Sequence, residues 1–149
     1  MTDRIEKQAI LQAPRSRVWR AISDQTEFGE WFAVKLPTGT FTAGETVTGN
    51  ITHPGYEHLR MTVDVVEVLP EERLSFQWHP YAIDPSVDYS SEPPTLVTFT
   101  LEDAEGGTRL GIVESGFNRI PPERREEAFK MNESGWSAQL KNIERHVSK

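Results

Sequence analysis

The chain has 149 residues, 16 Lys+Arg against 23 Asp+Glu for a formal net charge of −7, and 36% hydrophobic residues, the composition of one globular domain over residues 1–149 that can bury a core. The acidic balance, with basic residues only in scattered pairs such as Arg124-Arg125, excludes the clustered cations that nucleic-acid binding requires. The absence of Cys removes disulfides, thiolate catalysis and thiolate-held metals; with no apolar leader and no bilayer-length apolar run, the expectation is a soluble cytoplasmic protein without membrane insertion.

From Arg4 to Leu11, Ile5, Ala9, Ile10 and Leu11 alternate imperfectly and predict an edge strand. Pro14 suits the first position of a helix whose apolar stripe is Val18, Trp19 and Ile22, ending at Ser23. Asp24-Gln25-Thr26-Glu27 has the form of a capping box and predicts a second short helix through Phe28, Trp31 and Phe32. Between Phe41 and Leu101 the period becomes two, with turns at Pro37-Thr38-Gly39, Ala43-Gly44-Glu45, His53-Pro54-Gly55-Tyr56 and Leu69-Pro70-Glu71-Glu72. Leu59, Met61, Val63 and Val65 alternate cleanly, then Val66 and Val68 change phase, which predicts a β-bulge near Val65-Val66. Leu74, Phe76 and Trp78 share a face of the next strand, as do Val97, Phe99 and Leu101 of the one after. Glu105-Gly106-Gly107 predicts a hairpin turn into Leu110, Ile112 and Glu114. Pro121-Pro122 then opens the longest helix, with Arg125, Ala128, Phe129, Asn132, Trp136, Leu140, Ile143 and Val147 on one face. An antiparallel sheet and a long helix must bury their apolar faces on each other, so the fold class is a two-layer α+β domain.

The order and spacing of these pieces carry a family likeness. They run from Ala13-Pro14-Arg15-Ser16-Arg17-Val18-Trp19 and Phe28-Gly29-Glu30-Trp31-Phe32 through Val65-Val66-Glu67-Val68-Leu69-Pro70 and Arg73-Leu74-Ser75-Phe76-Gln77-Trp78 to Glu114-Ser115-Gly116-Phe117 and Gly135-Trp136-Ser137-Ala138-Gln139-Leu140. Together they resemble the START-like (helix-grip, Bet v 1-like) superfamily, in the branch similar to the C-terminal domain of the activator of Hsp90 ATPase. The resemblance implies a curved antiparallel sheet wrapped around the C-terminal helix, two short helices after the first strand, and a cavity that in relatives holds apolar molecules. Some relatives are cyclases or hydrolases. The eukaryotic co-chaperone carries a further N-terminal domain for which this chain has no room, which argues against an Hsp90 contact.

The expected function is therefore binding of an apolar or aromatic small molecule between sheet and helix. The alternatives are a co-chaperone or stress-related interaction module working through the outer sheet, and a cyclase-like or hydrolase-like enzyme using the same cavity. No cofactor is expected, since the phosphate-cradling glycine patterns are absent, and His53 and His58 around a turn fall short of a metal-ligand set. A homodimer stays open as a partner state.

Glu114 continues the inward alternation of Leu110 and Ile112, so it is either a strand-end carboxylate reaching solvent or an enclosed candidate acid or base; Glu114→Gln is expected to leave folding intact while altering ligand affinity. Asn132, on an apolar helix face, needs a partner: a backbone group, a buried water or a ligand. Arg125 on that face is either a cation at the cavity mouth or a snorkelling side chain. Trp31, Phe32, Met61, Phe76, Trp78, Phe117 and Trp136 supply apolar lining or core. The long connection from Pro80 to Pro94, with Tyr81, Ile83, Val87 and Tyr89, predicts an ordered loop closing one mouth, with His79 and Tyr81 nearest the ligand, Tyr89 beside it, and Asp84 and Asp88 fixing turns.

Overall fold

Alternation sets the inner face of the sheet: Met61, Val63 and Val65, then Leu74 and Phe76, then Val97, Phe99 and Leu101, then Leu110 and Ile112 are all buried. In the computed structural model, which describes residues 3–80 and 86–148, these residues lie on β4 (Arg60–Leu69), β5 (Arg73–Trp78), β6 (Thr95–Ala104) and β7 (Gly107–Ser115). The remaining elements are β1 (Arg4–Leu11), α1 (Arg15–Ser23), α2 (Gln25–Phe32), β2 (Val34–Lys35), β3 (Thr46–Ile51) and α3 (Pro122–Val147). The strands form one antiparallel sheet in the order β1-β7-β6-β5-β4-β3-β2, so the first strand does lie at an edge. This is the curved α+β helix-grip arrangement.

The predicted bulge is present. Val65 pairs with Phe76 and Glu67 with Ser75, which leaves Val66 outside the ladder with its side chain 48% exposed. The Gly107 hairpin also forms as predicted, pairing Ala104 with Gly107. Pro14 stands one residue earlier than expected: its own backbone is extended (φ −68, ψ 157), while its carbonyl accepts from Arg17 N and Val18 N. The strand β2 was not foreseen, because two residues carry no period. Gly29 and Gly49 admit it: an added Cβ would stand 2.2 Å from Val34 O at Gly29 and 2.0 Å from Lys35 O at Gly49.

The capping box is half used. Asp24 Oδ2 accepts from Glu27 N at 2.9 Å, but the Glu27 carboxylate is drawn away by Arg17 Nη1 at 2.7 Å, Arg20 Nε at 2.8 Å and His146 Nε2 at 2.8 Å. His146 is 7% exposed, so this cluster fastens the end of α3 to α1 and α2. Burial pushes the Glu27 carboxyl up, but the bonds from His146, Arg17 and Arg20 outweigh it and hold its pKa below the ordinary value. A lowered carboxyl contributes stability above the unfolded-state pKa and loses it as pH falls through the folded one. Glu27→Gln should therefore be less stable than the parent at pH 7, with the gap closing below about pH 4, the range where free Glu protonates; urea denaturation at pH 7 and pH 3 measures it, and a gap independent of pH would refute the assignment.

Candidate functional site

The site starts from a buried charge. Glu114 follows Leu110 and Ile112 on the inner face of β7 and is 0% exposed, where an unsatisfied carboxylate would cost several kcal/mol. Four donors satisfy it. Trp136 Nε1 and Asn132 Nδ2 on α3 donate to Oε1, each at 2.8 Å, while Trp78 Nε1 on β5 at 2.8 Å and Thr95 Oγ1 on β6 at 2.6 Å donate to Oε2. All four donors are neutral, and the indoles of Trp78 and Trp136 stack at 5.8 Å and 29° with their N–H groups on opposite oxygens. One side chain thus ties three strands to the long helix.

This cage joins two of the residues marked in the sequence. Asn132 and Glu114, each inward-facing and each in need of a partner, are partners. It also revises the expectation for Glu114→Gln: an indole N–H can only donate, so a glutamine must leave its own NH2 facing an N–H donor on one side. With both oxygens occupied, Glu114 meets the space beyond only through Asn132 and Trp78.

That space is a cleft of about 360 Å³ at one end of the sheet. Phe32 from the end of α2, Ile51 of β3, Leu59, Met61 of β4 and Trp78 of β5 form its apolar walls. Asn132, His79 and Tyr89 also line it. A smaller pocket of about 100 Å³ adjoins it and shares Phe32, Trp78 and Asn132, with Trp136 and Gln139 on its far side.

The structure thus brings Phe32, Met61, Trp78, His79, Tyr89 and Asn132 together around one space, with Trp136 next to it. Trp31, Phe76 and Phe117 are instead core. Trp31 is 5% exposed and donates through Nε1 to Ala21 O at 2.8 Å, Phe76 sits 6.3 Å from Phe28, and Phe117 meets Phe129 at 5.1 Å. Arg125 donates to Ile120 O and Asn118 O, closing the turn before α3 and standing apart from the cleft lining. Tyr81, Ile83 and Asp84 lie outside the described residues.

The described end of the long loop is held against α3. Arg124 Nη2 meets Glu92 Oε1 at 2.7 Å with both side chains mostly buried, and its guanidinium lies 4.7 Å above the Tyr89 ring. His79 Nε2 donates to Glu92 O at 2.9 Å, and Asp88 accepts from Ser90 N at 3.0 Å, fixing a turn as predicted. Neither Arg124 nor Glu92 was singled out in the sequence, since 32 residues separate them. Among the described residues, no three His, Asp or Glu side chains lie together as a metal set, and no helix is long and apolar enough to cross a membrane.

Comparison with known proteins agrees with this architecture. The family model described as "Activator of Hsp90 ATPase homolog 1-like protein" matches residues 12–148. Protein MLL2253 from Mesorhizobium loti superposes with a TM-score of 0.76 at 23% identity, covering 97% of this chain and 96% of that one. DynU16, from the dynemicin biosynthetic locus, gives 0.76 at 21% identity, covering 100% of this chain and 48% of its own. The Aha1 dimer from Colwellia psychrerythraea gives 0.72 at 15%, covering 99% and 96%. No curated protein matches the chain.

Proposed function

The chain belongs to the activator of Hsp90 ATPase homolog 1-like family, and from that premise we propose that it binds an apolar or aromatic small molecule, in the cytoplasm, within the cleft beside the Glu114 cage. The observation that carries this reading is the 360 Å³ cleft, walled by Phe32, Ile51, Leu59, Met61 and Trp78 and given a polar end by Asn132. Its size and its mostly apolar lining with few polar groups are those of a small-molecule site. The exposed large apolar residues support it from the other side. Ile10, Tyr56, Val66, Leu69, Val87 and Met131 are spread over β1, the β3–β4 loop, β4, the long loop and α3, which is a poor basis for a partner patch.

Native mass spectrometry of protein purified from its own host should show a retained small molecule. Leu59→Trp, which fills the cleft from its half-buried wall, should abolish that adduct while leaving the circular dichroism spectrum unchanged. An adduct that survives the substitution would place the ligand elsewhere.

The described end of the long loop, residues 86–94, latched by Arg124 and Glu92 and carrying Tyr89 to the lining, acts on this reading as a cover of the cleft. Replacing it with Gly-Asn should preserve the fold and raise the ligand off-rate about tenfold or more, since a lid acts by enclosing what it covers. An unchanged off-rate in stopped-flow displacement would remove the lid.

A further inference from the structure

Asn132 is shared by the cleft and the pocket beside it, and its orientation is decided from behind. Its Nδ2 donates to Glu114 Oε1 at 2.8 Å. Turned over, the amide would set its own oxygen against a carboxylate oxygen, two acceptors without a proton between them. Glu114 cannot rotate away, because Trp136 Nε1 holds the same oxygen and Trp78 Nε1 and Thr95 Oγ1 hold the other. The amide therefore presents Oδ1 on its free side. No donor among the described residues meets that oxygen, and it is absent from the buried unsatisfied atoms, so it stands open at the cleft.

His79 stands in the same lining. The partner of its Nε2 is the Glu92 carbonyl, which can only accept, so Nε2 carries a proton and serves the loop rather than the cleft. Arg60 and Thr62 also border the cleft, but both are exposed and flank the inward Met61 in the alternation of β4, and Thr62 Oγ1 lies 3.1 Å from Thr48 Oγ1. The floor is thus apolar and aromatic, with the open Asn132 oxygen set into it as an acceptor beside the Tyr89 side chain.

We propose that the cleft selects planar apolar molecules carrying a hydroxyl or N–H donor, such as hydroxylated aromatics, and that Asn132 Oδ1 reads the donor. The selection rests on the cleft being a small-molecule site as argued above. It gives the buried Glu114 a positioning role, since its charge orients an amide that touches the ligand while the carboxylate itself stays hidden.

The test titrates the full chain, followed by heteronuclear NMR, with β-naphthol and with its methyl ether, two probes of like shape that differ in one donor. β-Naphthol should bind about tenfold more tightly, the worth of one hydrogen bond in a partly dry site. Asn132→Leu should bring the ratio near one, chiefly by weakening β-naphthol. Equal affinity of the parent for both probes would overturn the donor selection and leave the cleft reading standing, a result that needs no variant to fold. A preference that persists in Asn132→Leu would also overturn it. Failure of both probes to shift cleft resonances would instead overturn the cleft reading, and the selection with it.

Discussion

Trp136→Ala should lower the unfolding free energy by about 3–5 kcal/mol, the usual cost of deleting a large buried aromatic. Trp136 is 2% exposed and stands where helix and sheet meet. Its ring lies edge-on to Phe99 at 5.8 Å, stacks on Trp78 at 5.8 Å and approaches Phe32 at 6.3 Å. Alanine removes those contacts together with the N–H on Glu114 Oε1. Trp136→Phe separates the two contributions, keeping most of the ring and losing the donor, and should cost about 1–3 kcal/mol for the bond to a charged acceptor. Equilibrium urea unfolding of both variants measures this; a near-zero change in the alanine variant would contradict the packing of α3 on the sheet.

Removing the charge that Trp136 serves should be comparably damaging. Glu114→Leu keeps the volume but leaves two indole N–H groups, an amide and a hydroxyl without their acceptor, and an orphaned buried donor costs about 1–3 kcal/mol. A loss of at least about 3 kcal/mol is expected, with Glu114→Gln intermediate because its amide oxygen still serves one side of the cage. Adding Asn132→Leu to Glu114→Leu should recover part of the loss, since one orphan disappears, and a coupling of about 0.5–3 kcal/mol is the range for residues that share a hydrogen bond. Strictly additive effects in that double-mutant cycle would mean that the two side chains do not meet as described. Because Asn132 also faces the cleft, the same variants link stability to ligand selection: Glu114→Gln should weaken β-naphthol more than its ether.

Most of the element pattern was legible in the residues themselves. The alternation of Met61, Val63 and Val65 with its phase change at Val66 yielded β4 and its bulge, Pro122 marked the start of α3, and Asp24 marked the cap of α2. These are local matters of period, cap and turn, and a chain states them directly because neighbours in sequence decide them. The order of the pieces also carried the family likeness. Periodicity identifies a face, but not how far along its element a residue sits nor what stands opposite. Hence Phe76, Phe117 and Trp31 share an inward-facing pattern with Phe32 and Trp78, yet the first three fill the core and the last two wall the cleft. The burial of His146 on Glu27, 119 residues away, and the latch between Arg124 and Glu92 are pairings that no local rule reaches. The same holds at the centre of the site: sequence marked Glu114 and Asn132 separately as polar groups on apolar faces, each lacking a partner. Only the docking of α3 across β5, β6 and β7 brings the amide, two indoles and a hydroxyl onto one carboxylate, because burying both apolar faces sets the helix at the depth where those donors can replace water.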